Sequence, residues 1–188
     1  MGRPLVLVLG GTRSGKSTHG LQRITSLAGE ESVAYLATAV GVQGEDPELD
    51  DRIARHRAVR PANWQTIDVG VDLPAAIRAA MAGPPDRPIL LDGLTLWLSA
   101  LVNGLAFELD DVLDGPVAAG LTALDRHEGP VVVVSDEIGL GMVPMDPLGR
   151  AFRDLQGIVH QRLAAMADEV TLTVAGLPLH LKHSTERS

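Results

Sequence analysis

Five short strand-like runs punctuate the chain at wide intervals. They are Pro4–Leu9, Ser32–Ala37, Trp64–Val69, Ile89–Asp92 and Val131–Ser135. The runs at Pro4, Ile89 and Val131 are continuous rather than alternating. That pattern predicts strands buried on both faces, as in a parallel sheet. Between them the period changes to that of helices: Lys16 to about Leu27 with Gly29 as a stop, Asp46–Arg60, Leu73–Met81, Thr95–Asn103, Asp111–Arg126 and Leu148–Ala167. Pro61 should end the second of these, because a residue before proline is pushed out of the α region. Gly83–Pro88 and Gly139–Pro147 read as loops. Val170–Val174 and Leu179–Lys182, flanking Ala175–Pro178, predict a closing β-hairpin. Strands alternating with helices imply an α/β fold, a mostly parallel sheet flanked by helices. Ligands of such sheets sit at the carboxyl ends of the strands.

The first strand runs into Gly10-Gly-Thr-Arg-Ser-Gly-Lys-Ser17, which fits the G-x4-G-K-[ST] pattern without a mismatch. It also has the required context, after a buried strand and opening a helix. Gly10, Gly11, Thr12, Arg13, Ser14 and Gly15 let backbone N–H groups curl around a polyphosphate. The helix N-terminus adds partial positive charge. Lys16 would reach the β- and γ-phosphates, and the Ser17 hydroxyl would ligate Mg²⁺. Such a site needs a second carboxylate for the metal. Asp92, closing the Ile89 strand, is the first candidate. Asp136 and Glu137, closing the Val131 strand, compete with it and could instead orient a nucleophile.

Composition narrows the classes. The chain has 188 residues, enough for one well-buried α/β domain spanning 1–188, and shows no internal repeat or low-complexity linker. A net charge of −8 and few aromatic residues argue against nucleic acid as a partner. Absence of cysteine removes disulfides, thiolate metal sites and a cysteine nucleophile. No apolar stretch approaches the roughly 20 residues of a membrane span, and the N-terminus lacks the run of a signal peptide. A cytoplasmic protein is the expectation.

Against this acidic background, Asp50–Arg60 holds Arg52, Arg55, Arg57 and Arg60 around His56. At helical spacing Arg52, His56 and Arg60 share a face. Spacing alone suits a solvated helix with carboxylate–arginine pairs. It also suits a second phosphate-binding surface, whose cations keep His56 neutral and nucleophilic. His19 lies just beyond the glycine loop; His127, His160, His180 and His183 show no metal-ligand spacing with one another.

Read together, these segments resemble the bifunctional adenosylcobinamide kinase / adenosylcobinamide-phosphate guanylyltransferase family of cobalamin biosynthesis. The resemblance runs nearly the length of the chain. It rests on Leu9–Ser17, Tyr35-Leu-Ala-Thr-Ala39, Arg52-Ile-x-x-His56-x-x-x-Arg60-Pro-x-x-Trp64 and Leu90–Trp97. It continues through Ser135-Asp-Glu-Ile-Gly-Leu-Gly-Met-Val-Pro144, Phe152-Arg-Asp, His160–Leu163 and Ala167–Val170. The resemblance implies a RecA-like P-loop NTPase fold assembled as a homotrimer, with ATP and GTP as substrates alongside Mg²⁺. It implies two reactions: phosphorylation of adenosylcobinamide, then transfer of GMP from GTP to adenosylcobinamide phosphate through a GMP–histidine. His56 matches the guanylylated histidine. Matches to the family's GTP contacts are Gly10 to Ser17, Ala37, Thr38, Ala39, Arg57, Ala58, Val59, Arg60, Asp68 and Asp92. Asp68 stands where glutamate is more usual, Gly93 where cysteine is common, Asn63 where histidine is frequent, and His160 where asparagine is usual. A plain P-loop small-molecule kinase and a nucleotide-binding regulatory module remain the competing readings. Gly139–Pro147, by its Gly/Pro/Met composition, is the expected substrate-side lid.

Overall fold

The computed structural model describes residues 4–29, 31–38, 60–102 and 106–183. The predicted helix over 46–60 lies outside these residues except for Arg60, as do Ala39, His56, Arg57, Ala58 and Val59. Seven strands form one sheet: β1 (Leu5–Gly10), β2 (Ala34–Ala37), β3 (Gln65–Asp68), β4 (Ile89–Asp92), β5 (Val131–Asp136), β6 (Glu169–Val174) and β7 (Leu177–Lys182). Their spatial order is β3-β2-β4-β5-β1-β6-β7. Every neighbouring pair is parallel except β6 and β7. The helices are α1 (Lys16–Ala28), α2 (Leu73–Ala80), α3 (Leu94–Val102), α4 (Leu109–Val112), α5 (Ala118–Arg126) and α6 (Pro147–Met166).

The continuous apolar strands serve two cores, since successive side chains point to opposite faces. Leu5, Leu7, Leu9, Val131 and Val133 join Trp97, Leu155 and Leu163 in the larger core, beneath α2, α3, α5 and α6. Val6, Val8, Val132, Val134 and Leu90 meet Ile24 of α1 on the other face. Helix starts follow the local chemistry. The carboxylates of Asp72 and Asp146 accept from the amides of Ala75 and Gly149, and a proline stands in the first turn of each helix. Gly29, at φ 60°, ends α1.

Two elements depart from the sequence expectation. The helix predicted over 111–126 is broken within Leu113–Val117 by a kink at Gly115, whose φ −92° and ψ −105° are not helical. Pro116, the next residue, has no N–H to donate and its ring crowds the preceding turn. The hairpin turn is Ala175-Gly176 alone, with φ 53° and 79°, so β7 begins at Leu177 and includes Pro178. Two residues at positive φ match the twist of a tight hairpin. Proline is tolerated because β7 is an edge strand with no partner beyond it among the described residues.

Behind the end of β5 lies a buried polar network. His160 of α6 places Nε2 2.7 Å from Ser135 Oγ and Nδ1 3.6 Å from Glu137 Oε2. Gln156 donates to Thr95 Oγ1 at 2.8 Å and to the Asp136 carbonyl, while Thr95 Oγ1 accepts from the Asp136 amide at 3.0 Å. Glu137 Oε1 accepts from the Gly139 amide at 2.6 Å. These bonds fix the backbone on which two carboxylates are presented.

Both layers can be tested. A Cβ at Gly20 would fall 2.5 Å from Val134 Cγ2, so α1 lies too close to β5 for any side chain there. Gly20→Ala should destabilise the protein by about 1–3 kcal/mol in chemical denaturation, although alanine is the better helix former. Adding Val134→Ala should recover part of the loss, and independent, additive effects of the two changes would contradict the packing account. Burial lowers the pKa of His160 from 6.5, outweighing Glu137 and Asp136, which raise it. The unfolded chain therefore takes up a proton near pH 6.5 that the folded protein resists. Stability from this group is complete above that pH and falls as pH drops through it, levelling below the folded pKa. The melting temperature should drop between about pH 7.5 and 5.5, with a shallower drop in His160→Asn. Equal slopes would show that His160 is not the group responsible.

Candidate functional site

Parallel register brings the strand ends to one rim. Ala37 pairs with Asp68 on one side and Asp92 on the other, and Gly10 pairs with Asp136. From Gly10 the chain turns through the glycine loop into α1. Gly15, at φ 94°, precedes the helix, and no side chain caps its N-terminus. First-turn amides are thus left to an incoming anion, as a phosphate loop requires. The loop is braced from the side. Ser14 Oγ lies 2.9 Å from Thr173 Oγ1, and the Ser14 carbonyl accepts from the Gly176 amide at 2.9 Å. A Cβ at Gly10 would fall 2.3 Å from both of those hydroxyl oxygens, so the strand can enter the loop only as glycine. Gly11, Thr12 and Arg13 are exposed on the outer turn.

Lys16 is 5 % exposed. Its Nζ lies 2.5 Å from Asp136 Oδ1 and 3.3 Å from the Gly11 carbonyl. A buried ammonium needs such partners. One residue on, Ser17 Oγ donates to Asp92 Oδ1 at 3.2 Å, and Tyr35 Oη donates to Asp92 Oδ2 at 2.9 Å. A serine hydroxyl and a carboxylate oxygen 3.2 Å apart are hard donors of the kind that would hold Mg²⁺. No group of three or more His, Cys, Asp or Glu able to hold a metal occurs among the described residues.

The other expected residues gather around this centre unevenly. Thr38 donates to the Asp92 and Gly93 carbonyls at 3.1 and 2.9 Å, locking the end of β2 to the end of β4. Arg60 stacks its guanidinium 3.2 Å from the centroid of Tyr35 and donates to Thr66 Oγ1 at 3.4 Å. With Ser17, Tyr35, Leu90 and Asp92 it lines a cavity of about 60 Å³, which is room for a few waters and far too little for a base. Asp68 ends the edge strand β3, exposed to solvent. His19 faces away, toward His180 at 6.5 Å between ring centroids; burial first, then His180 and Arg23, lowers its pKa. Tyr35 is a site residue that sequence reasoning misses. Its signal is faint: the chain's one tyrosine, two positions before a strand end, on the face toward α1.

Comparison with known proteins shows the family and the fold. The cobinamide kinase / cobinamide phosphate guanyltransferase family matches residues 6–181. A bifunctional adenosylcobalamin biosynthesis protein CobP from Pseudomonas aeruginosa is 44 % identical over 177 residues, covering 94 % of this chain and 96 % of that one. Its counterpart CobU from Salmonella typhimurium is 38 % identical over 189 residues, covering 95 % and 99 %. Among solved structures, an ATPase domain superposes with a TM-score of 0.55 at 13 % identity, over 97 % of this chain and 78 % of that one. The flagellar accessory protein FlaH from Methanocaldococcus jannaschii gives 0.53 at 15 %, over 96 % and 78 %. These likenesses bear on the fold alone, which is that of RecA-like P-loop ATPases. With its P-loop, its Ser17–Asp92 pair and a match over nearly its full length, the chain belongs to the cobinamide kinase / cobinamide phosphate guanyltransferase family.

Proposed function

We propose that this chain, as one catalytic domain, phosphorylates adenosylcobinamide with ATP or GTP and then transfers GMP from GTP to adenosylcobinamide phosphate, giving adenosylcobinamide-GDP. The observation that carries the reading is the Ser17–Asp92 pair beside buried Lys16 at the mouth of an uncapped helix. Together they supply amides, an ammonium and two hard oxygens for a triphosphate with its metal. Ser17 and Asp92 would hold Mg²⁺, which supplies charge neutralisation at the β- and γ-phosphates.

Both reactions are phosphorus transfers, in which positioning and charge neutralisation dominate. In the first, the substrate hydroxyl attacks the γ-phosphorus and the nucleoside diphosphate leaves. In the second, His56 attacks the α-phosphorus of GTP and pyrophosphate leaves. A phosphate oxygen of adenosylcobinamide phosphate then displaces His56 from the GMP. His56 stands four residues before Arg60 in the chain, and a tether of that length spans at most about 14 Å. Arg60 borders the Ser17–Asp92 cavity, which supports a histidine reaching the same nucleotide. Arg57, Ala58, Val59 and Arg60, with Ala37 to Ala39 and Asp68, would contact the GTP.

The segment 139–147 is the proposed corrinoid-side lid. Leu140, Met142, Val143 and Met145 are 82, 94, 64 and 95 % exposed, an apolar surface next to the rim that suits the face of a macrocycle. Its ends are anchored: Arg153 donates to the Gly139 carbonyl, and Arg150 to the Pro144 and Met145 carbonyls at 3.0 and 2.7 Å. No helix among the described residues is long and apolar enough to cross a membrane. A cytoplasmic homotrimer is the proposed working form.

Incubation with α-labelled GTP should leave a covalent, alkali-stable label on the protein, absent in His56→Ala. A wild-type protein that never takes label would reduce the reading to a P-loop kinase. Replacing Leu140 and Met142 together with serine should raise the KM for the corrinoid about tenfold or more while GTP labelling is unchanged, from the apolar burial each side chain loses. An unchanged corrinoid KM would remove the lid.

A further inference from the structure

The end of β5 sorts its polar side chains by face. Ser135 points toward α6, where His160 and Gln156 take it up. Glu137 turns to the same side, held by the Gly139 amide and facing His160. Asp136, between them, projects to the α1 face. There it meets Lys16 Nζ at 2.5 Å, with its side chain 25 % exposed. The two carboxylates nearest the glycine loop are thus divided. Both oxygens of Asp92 are engaged, one by Ser17 and one by Tyr35. Asp136 stands on the other side of Lys16, open to solvent.

Lys16 marks where the terminal phosphates of a bound triphosphate come to rest. Those phosphates compete with Asp136 for the ammonium, which leaves a carboxylate beside the γ-phosphoryl group. A second anion there repels the ligand and is of no use to nucleotide binding. Its value is to an incoming hydroxyl, which needs an acceptor for its proton within hydrogen-bond reach of the attacking oxygen.

We infer that Asp136 is the catalytic base of the kinase step. It accepts a hydrogen bond from the substrate hydroxyl and aims that oxygen at the γ-phosphorus. As the new O–P bond forms, the bond from the γ-phosphorus to the β,γ-bridging oxygen breaks. The hydroxyl proton passes to the Asp136 carboxylate, and the nucleoside diphosphate departs with the bridging oxygen. In the structure the same carboxylate pairs with buried Lys16. The assignment rests on the kinase reading above and adds to it a separation of the two reactions. Guanylylation of His56 uses a nucleophile that brings no hydroxyl proton, so it has no need of Asp136.

The test uses Asp136→Asn, which keeps the shape and removes the base. Two reactions are followed on the same preparation: γ-label passing to adenosylcobinamide, and α-label passing from GTP to the protein and on to adenosylcobinamide phosphate supplied ready-made. The kcat of phosphorylation should fall by about 10²–10⁴-fold, with a far smaller change in nucleotide KM. α-Label transfer should fall far less than phosphorylation, and label on the protein shows that the variant folds and binds nucleotide. Asp136→Glu, which retains a carboxylate, should recover part of the lost rate. Phosphorylation by Asp136→Asn at the wild-type rate overturns the assignment. So does a parallel loss of both reactions, which would mean that Asp136 acts only by holding Lys16. Wild-type protein that labels with GTP yet never phosphorylates the corrinoid would overturn the kinase reading itself, and the base with it.

Discussion

The site depends on one constraint, the parallel pairing that draws β2, β4, β5 and β1 to a common rim. Far apart in sequence, Gly10 pairs with Asp136 and Ala37 with Asp92, while Asp92 pairs with Val134, two residues before Asp136. A carboxylate at a strand end costs little there, because the backbone beneath it is already hydrogen-bonded and the rim faces water. One residue earlier on the same strands the side chains are Leu91 and Ser135, both fully buried. A slip of one residue in β4 or β5 would place a charge in one of the two cores. Hydrophobic packing on both faces of the sheet therefore fixes the chemistry at its edge.

The approach of α1 completes the geometry. Strand β5 lies between β1 and β4, so Ser17 must cross it to reach Asp92. Gly20, one turn further along, lets the helix settle against Val134, with Leu90 of β4 beyond it. The first turn is held low enough for the serine hydroxyl to span the gap. Lys16, one residue back, falls over β5 and meets Asp136. Two consecutive residues thus address two different strands. The phosphate and metal functions proposed for them would be separated by the width of a strand.

Much of this is legible in the pattern of residues. The period changes locate the strands and most helices, and the glycine loop declares its own chemistry through its position between strand and helix. Asp92 can be named because it closes an apolar run. Which carboxylate faces which partner cannot be read this way. That depends on strand order, and nothing in the local sequence says that β5 inserts between β1 and β4. The engagement of Asp92 by Tyr35 is hidden for the same reason, since it crosses from β2 to β4. Pro116 breaks a helix that amphipathic spacing makes continuous, a case of backbone chemistry overriding the apolar pattern. Ala175 reads as part of a four-residue loop because a non-glycine residue at positive φ has no strong sequence signal.

The division of anions at the rim bears on how one pocket can run two reactions. A triphosphate held by the glycine loop would present its γ-phosphorus toward Lys16 and Asp136, and its α-phosphorus further back along the nucleotide. Ser17 and Asp92, holding Mg²⁺ as proposed, would serve either transfer, since both expel a phosphate leaving group that gains charge. Only the nucleophile's needs differ. A hydroxyl must lose a proton to become a competent attacker, whereas a neutral imidazole already carries its lone pair. A carboxylate beside the γ-phosphorus and a histidine with neighbouring arginines toward the α-phosphorus would satisfy those needs at opposite ends of one ligand. Selection between the reactions then requires no rearrangement of the loop that binds the nucleotide. It requires only that the acceptor arrive with a free hydroxyl in the first reaction and with its phosphate in place in the second.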